Sequence, residues 1–156
     1  MADFVRAVVF KVENQLFGVD IEKVQSIERQ IDVASVPNAM PFISGIVNLR
    51  GEVIPVLSLK KKFSMVDAKQ TCENTIIISL PDVSIALEVD EVMEITDFGD
   101  DKLAPVPEIV KNEATQYLDK VASGDGSLIL LLDVDKLLSV DEAVNVKKFA
   151  EDMKHE

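Results

Sequence analysis

Part of this chain occurs twice, and that repeat restricts its fold more than any other feature. Gly18-Val19-Asp20-Ile21-Glu22-Lys23-Val24-Gln25-Ser26-Ile27 aligns without a gap on Ala86-Leu87-Glu88-Val89-Asp90-Glu91-Val92-Met93-Glu94-Ile95. Val36-Pro37 is echoed by Val106-Pro107 and Phe42-Ile43 by Tyr117-Leu118; Gly51 then meets Gly126, and Val53–Leu59 overlays Leu128–Val134. The offset grows from 68 (86 − 18) to 75 (117 − 42), as loop insertions would make it. A repeat of this kind is one supersecondary unit built twice and packed on itself. The expectation is a single domain over 1–156, with repeats at 8–66 and 75–138 of about five strands each and a helical brace at 139–153.

The units read as β. Val8, Phe10 and Val12 alternate with Val9, Lys11 and Glu13, and Val83, Ile85, Leu87 and Val89 alternate with Ser84, Ala86, Glu88 and Asp90, the period of a strand. Glu13-Asn14-Gln15 turns the chain into a second strand through Phe17, Val19 and Ile21. Val53–Leu59, Ile76–Leu80 and Leu128–Val134 are short apolar runs bounded by turn residues, as buried strands are. The apolar residues include 22 Val and 13 Ile against 7 Phe and no Trp, a β-branched core suited to sheets. Helix is expected from Ser139, where Ser139 and Glu142 form a capping box, with a short turn inside Val110–Leu118 and another at Glu22–Val24. Strands do not alternate with long helices, so the class is mainly all-β and not doubly wound.

Charge and composition remove several functions. With 28 acidic against 16 basic residues the formal charge is −12, which repels nucleic acid and anionic lipid; Lys60-Lys61-Lys62 is too short a basic run to offset it. No apolar stretch reaches the ~18 residues of a membrane span. One cysteine, Cys72, allows no internal disulfide and fits a reducing cytoplasm. One histidine, His155, leaves no His-based triad or metal centre.

Several motifs carry no chemistry. Asp97-Phe98-Gly99 spells a kinase triplet without the rest of a kinase. Asp133 and Asp135 end a strand as in a phospho-accepting domain, whose helices are missing here. Glu88, Asp90, Glu91, Glu94, Asp97, Asp100 and Asp101 do not match a calcium loop and read as a solvated strand face and loop. No nucleophile, base and oxyanion site assemble, and neither catalysis nor a cofactor is expected. A small-ligand-binding barrel or a hydrolase using paired carboxylates is the alternative of another class. The repeats differ most at one turn: Ser123-Gly124-Asp125-Gly126 is ordinary hairpin material, whereas its counterpart is Asn48-Leu49-Arg50-Gly51. A hairpin gains nothing from Arg50, whose five donors suit a partner's carboxylate or carbonyl, or an internal salt bridge.

From Gly45-Ile46-Val47-Asn48-Leu49-Arg50-Gly51-Glu52-Val53-Ile54-Pro55-Val56-Leu57-Ser58-Leu59 the chain resembles the CheW family of bacterial chemotaxis coupling proteins. Phe17–Ile21, Pro41-Phe42-Ile43, Asn74-Thr75, Val89-Asp90, Leu128–Leu132 and Lys136-Leu137-Leu138 extend the likeness along nearly all of it. The resemblance implies two intertwined five-stranded, SH3-like barrels without catalytic activity. It implies as partners the cytoplasmic tips of methyl-accepting chemoreceptors and the histidine kinase CheA, whose regulatory domain shares the fold, with other CheW molecules as ring neighbours. Position by position it assigns Ile21, Val24 and Ile27 to a kinase-facing apolar patch and Ile109 to a second kinase or CheW contact. Gly45, Asn48, Arg50, Ile54 and Ile77 would line the receptor groove. Ser26 and Ser44 stand where some relatives carry an acid and a base, and Lys120 where a small residue is common. From spacing alone, Ile21, Val24 and Ile27 recur every three residues, which is odd for strand core and fits a partly exposed patch, with at least one of the three filling the core.

Overall fold

The computed structural model describes residues 4–29, 31–37, 40–63, 74–81, 83–112, 115–124, 126–138, 142 and 145–148. Among these, the strands are β1 (Phe4–Val12), β2 (Gln15–Asp20), β3 (Val24–Arg29), β4 (Ile43–Leu49), β5 (Glu52–Ser58), β6 (Asn74–Ser79), β7 (Ser84–Val89), β8 (Glu91–Gly99), β9 (Leu103–Pro105), β10 (Leu118–Gly124) and β11 (Ser127–Leu132). A single α-helical turn, α1 (Leu59–Lys62), follows β5, and 3-10 turns lie at Ile21–Lys23, Asp100–Lys102, Glu108–Val110 and Val134–Lys136. The class is mainly β, as expected.

Two sheets form, ordered β8-β1-β2-β11-β10-β9 and β3-β6-β7-β5-β4. The first hairpin of each repeat sits in the other repeat's sheet: β1–β2 joins β8–β11, and β6–β7 joins β3–β5. That exchange is the intertwining. The expected five strands hold for one sheet; the other gains β9, whose place in the smaller sheet is taken by an isolated bridge, Ala34 to Ile46.

The pairing registers obey the sequence repeat. Parallel β5–β7 sets Val56 opposite Ala86, and parallel β11–β2 sets Leu131 opposite Gly18, the corresponding residues. Ile46 faces Pro55 in one hairpin, and Val121 faces Leu130 in the other. The bridge Ala34–Ile46 matches the pair Ala104–Val121. Even irregularities repeat: β4–β5 shifts register between Ile43 and Gly45, β10–β11 between Leu118 and Lys120, and Gln25 and Met93 are the residues skipped in β3–β6 and β1–β8. A chance likeness of apolar strands would not reproduce bulges, which are placed features of a fold.

Alternation along the strands produces three cores. A central one, with Val8, Phe10, Phe17, Leu57, Ile76, Ile78, Leu87 and Leu132, lies between the sheets. On their other faces, Val9, Ala122, Ile129 and Leu131 fill one barrel and Ile77, Val47, Ile54 and Val56, their counterparts, fill the other. The turn expected within Val110–Leu118 is present: Thr115 is in 3-10 conformation and donates its N–H to the Asn112 carbonyl at 3.1 Å. A further 3-10 turn precedes it at Glu108–Val110, where Pro107 sets the backbone before the first residue. Of the expected C-terminal helix, Glu142 and residues 145–148 are helical; Ser139 and the rest of 139–153 lie outside the described residues. Val146 is buried against the central core.

Candidate docking surfaces

The β4–β5 hairpin closes through Arg50-Gly51, since Leu49 pairs with Glu52. Both turn residues have positive φ, 54° at Arg50 and 85° at Gly51, the signature of a type I′ turn. Glycine accepts that backbone freely; arginine does not, and a left-handed non-glycine residue stores roughly 1 kcal/mol or more. Asn48 steadies the turn by accepting the Gly51 N–H at 3.1 Å through its side-chain oxygen. Arg50 is exposed and forms no ion pair among the described residues, so the internal salt bridge left open by spacing does not form there. Pro55 also frees this arm. Lacking an N–H, it precedes the β5–β7 ladder, which runs only over Val56–Ser58, while β11–β2 already pairs from Ile129.

The other residues assigned to this groove do not share its exposure. Ile54 and Ile77 are 2% and 0% exposed and sit inside a barrel, so they support the arm from beneath and line no surface. Gly45 is buried for a packing reason: a Cβ there would lie 2.0 Å from the Ala34 carbonyl oxygen of the isolated bridge. Its counterpart Lys120 faces Pro105 across the regular β9–β10 ladder, which explains why a long side chain is tolerated at that position. Ser44, left out of register by the bulge, donates its hydroxyl to the Glu88 carboxylate.

The apolar patch owes its period of three to geometry that the sequence did not announce. Asp20 caps the Ile21–Lys23 turn by accepting the Glu22 N–H at 2.9 Å, and the skipped Gln25 puts Val24 and Ile27 on one face, opposite Ile78 and Ile76. Ile21 and Val24 are half-buried against the central core, and Ile27 at the β3 edge is 38% exposed. The three residues therefore carry the central core out to the surface along an edge strand. Ile109 is not part of this stripe. It stands 94% exposed on the turn after β9, whose backbone is braced by the Thr115 hydroxyl donating to the Val110 carbonyl at 2.8 Å.

Sequence reasoning missed the most buried charge among the described residues. Lys60, weighed only as part of a short basic run, is 5% exposed, with Nζ 2.9 Å from Glu13 Oε1 and 3.0 Å from Asp90 Oδ1. Asp90 also accepts the Glu13 N–H at 2.7 Å. Asp90 and Glu88 thus leave the supposed solvated face. Their one signal was the repeat, which places Asp90 where Glu22 stands in the first unit. On β8 the face is solvated as expected: Arg6 donates Nε to Asp97 Oδ1 at 2.7 Å, and that bond holds the Asp97 carboxyl below its ordinary range. Among the described residues no group of three or more His, Cys, Asp or Glu is placed to hold a metal ion, and no helix is long and apolar enough to cross a membrane. Cys72 and His155 lie outside the described residues.

Comparison with known proteins agrees with this geometry. A family model described as a CheW-like domain matches residues 6–142. A chemotaxis protein CheW of Klebsiella aerogenes is 32% identical over 144 residues, covering 91% of this chain and 86% of the relative. Its namesake from Thermotoga maritima is 27% identical over 142 residues, 89% of each chain. The crystal structure of the scaffolding protein TtCheW from Thermoanaerobacter tengcongensis superposes with a TM-score of 0.80 at 29% identity, covering 91% of this chain and 96% of that one.

Proposed function

Because the chain belongs to the CheW-like domain family, we propose that it is a non-catalytic adaptor coupling methyl-accepting chemoreceptors to the histidine kinase CheA in the cytoplasm. One observation carries this reading: Arg50, an exposed cation without an ion pair among the described residues, is held at φ 54° on a turn that would be more stable without it. Strain kept at an exposed, unpaired charge is understandable where a partner uses that charge. The Arg50 arm is the receptor side, with Asn48 shaping the turn and Gly45, Ile54 and Ile77 supporting it from within. The edge stripe of Ile21, Val24 and Ile27 is the kinase side, and Ile109 serves a second kinase or CheW contact. Unlike faces on one rigid body let one molecule hold both partners, and ring neighbours raise the effective concentration of each.

Reconstitution of receptor signalling fragments, CheA and this protein tests the assignment. Wild type should assemble a ternary complex and raise kinase activity. Arg50→Glu should keep the circular dichroism spectrum and lose stimulation, while Val24→Asp should weaken binding to the kinase regulatory domain by roughly tenfold or more, the loss typical of a central apolar contact. Full stimulation by Arg50→Glu removes the receptor-side assignment; absence of any ternary complex with wild type removes the adaptor reading.

A further inference from the structure

Resting on that adaptor reading, we infer that the kinase-facing edge receives a lysine or arginine side chain of its protein partner, in a cleft between β1 and the Ile21–Lys23 turn. The cleft encloses about 240 Å³ and is lined by Val5, Arg6, Asp20, Ile21 and Glu22. Val5 and Ile21 give it an apolar wall, which suits the alkyl stem of a long basic side chain. Asp20 and Glu22 give it carboxylates for the head. Arg6, which lines the same cleft, places its Nε and Nη2 on Asp97, at 2.7 and 3.2 Å. Asp20 has one oxygen on the Glu22 N–H, and the exposed Glu22 carboxylate forms no ion pair among the described residues.

The repeat shows what this corner lacks. Glu22 corresponds to Asp90 at the offset of 68 (90 − 22), and Asp90 is held by buried Lys60 at 3.0 Å. Lys60 corresponds to Asp135 at the offset of 75 (135 − 60), an equivalence marked by the side chains of Ser58 and Asp133 capping the two turns alike. Asp135 cannot serve Glu22; it pairs instead with Lys23 at 3.1 Å. Glu13, the other acid on Lys60, corresponds to Pro81 (81 − 13 = 68). One repeat therefore satisfies its corner carboxylate from within, whereas the other carries an acid in place of the internal lysine and leaves Glu22 on the lining of an open, half-apolar cleft. The missing cation is the partner's. Because the cleft shares Ile21 with the apolar stripe, a basic residue bordering the partner's own apolar contact would fix the docking register.

Titration of the full-length protein with the CheA regulatory domain at low and high ionic strength tests this. Glu22→Gln removes an exposed charge, and Asp20→Asn keeps a capping side chain, so neither should disturb the fold. Each should weaken binding by roughly 3–10-fold at low salt, with the gap to wild type closing at high salt as charges are screened. Val24→Asp should bind poorly at both. Wild-type affinity and salt dependence in both acid variants, with Val24→Asp still weak, overturn the cleft and leave the adaptor reading standing. No binding by wild type overturns the adaptor reading and the cleft with it.

Discussion

At Gly18 a Cβ would lie 2.7 Å from Leu131 Cδ2, in a barrel interior. The counterpart pair in the other barrel is Ala86 with Val56. Each barrel thus fills the same space with a different partition, small against large in one and intermediate against intermediate in the other. Gly18→Ala should destabilise the protein by about 1–3 kcal/mol, the usual range for overpacking. Leu131→Val in the same chain should recover much of that loss, giving a clear coupling in a double-mutant cycle read by denaturant melts. Additive losses would mean that the two side chains do not compete for space. Tyr117, the only tyrosine in a chain without tryptophan, gives a second residue-scale test. It stacks on Phe63 at 4.6 Å between ring centroids, and burial pushes its phenol above the ordinary value of 10.0. The unfolded chain therefore loses this proton first as pH rises, so stability should decline from about pH 10 upward. Ultraviolet titration of the phenolate band should place Tyr117 above free tyrosine, and a titration at the free value would refute its burial. Arg50 was legible at this scale because the repeat supplied its own comparison. Ile54 was not: Ile54-Pro55-Val56-Leu57 is buried throughout, and a strand covered on both faces gives no alternation to show which side chains meet solvent.

Elements show the same division between pattern and context. Strands with clean alternation, such as β1 and β7, could be read directly, whereas β3 and β8 became visible only through their likeness to each other. Their bulges at Gln25 and Met93 break the period of two that a reader would look for. α1 was hidden for a related reason. Four residues cannot declare a helical period, and three lysines suggest solvent, yet Ser58 caps the turn and directs Lys60 inward. There Lys60 ties three elements together: the β1–β2 turn through Glu13, α1 itself, and the β7–β8 corner through Asp90. Replacing one member of a buried ionic group strands the others, at a cost of roughly 3–5 kcal/mol. Lys60→Met should lower stability by that order, while Lys62→Met, whose lysine pairs with Glu142 in a less buried setting, should cost less. Comparable denaturation midpoints for the two variants would show that the Lys60 cluster holds nothing together.

The whole molecule is governed by the exchange of first hairpins, which has a consequence that neither repeat shows alone. Removing the second repeat would leave β3, β5 and β4 without the β6–β7 pair that lies between β3 and β5, and would leave β1–β2 without β11 and β8 on either side. The central core draws on both repeats, with Phe10, Phe17 and Leu57 from one packed with Ile76, Leu87 and Leu132 from the other. A chain divided between Phe63 and Asn74 should therefore yield two fragments that are each unfolded in isolation, because a half-sheet with no facing layer cannot bury enough apolar surface to offset its ordering entropy. Mixed in equal amounts, the fragments should recover the strand spectrum and a single unfolding transition whose midpoint rises with concentration, as association of two halves requires. The intact chain should unfold in one concentration-independent step. Cooperative melting of either fragment alone would mean that each repeat is a self-sufficient barrel. The two exposed surfaces could then move independently, and the rigid spacing that the proposed grip of receptor and kinase by one molecule requires would be lost.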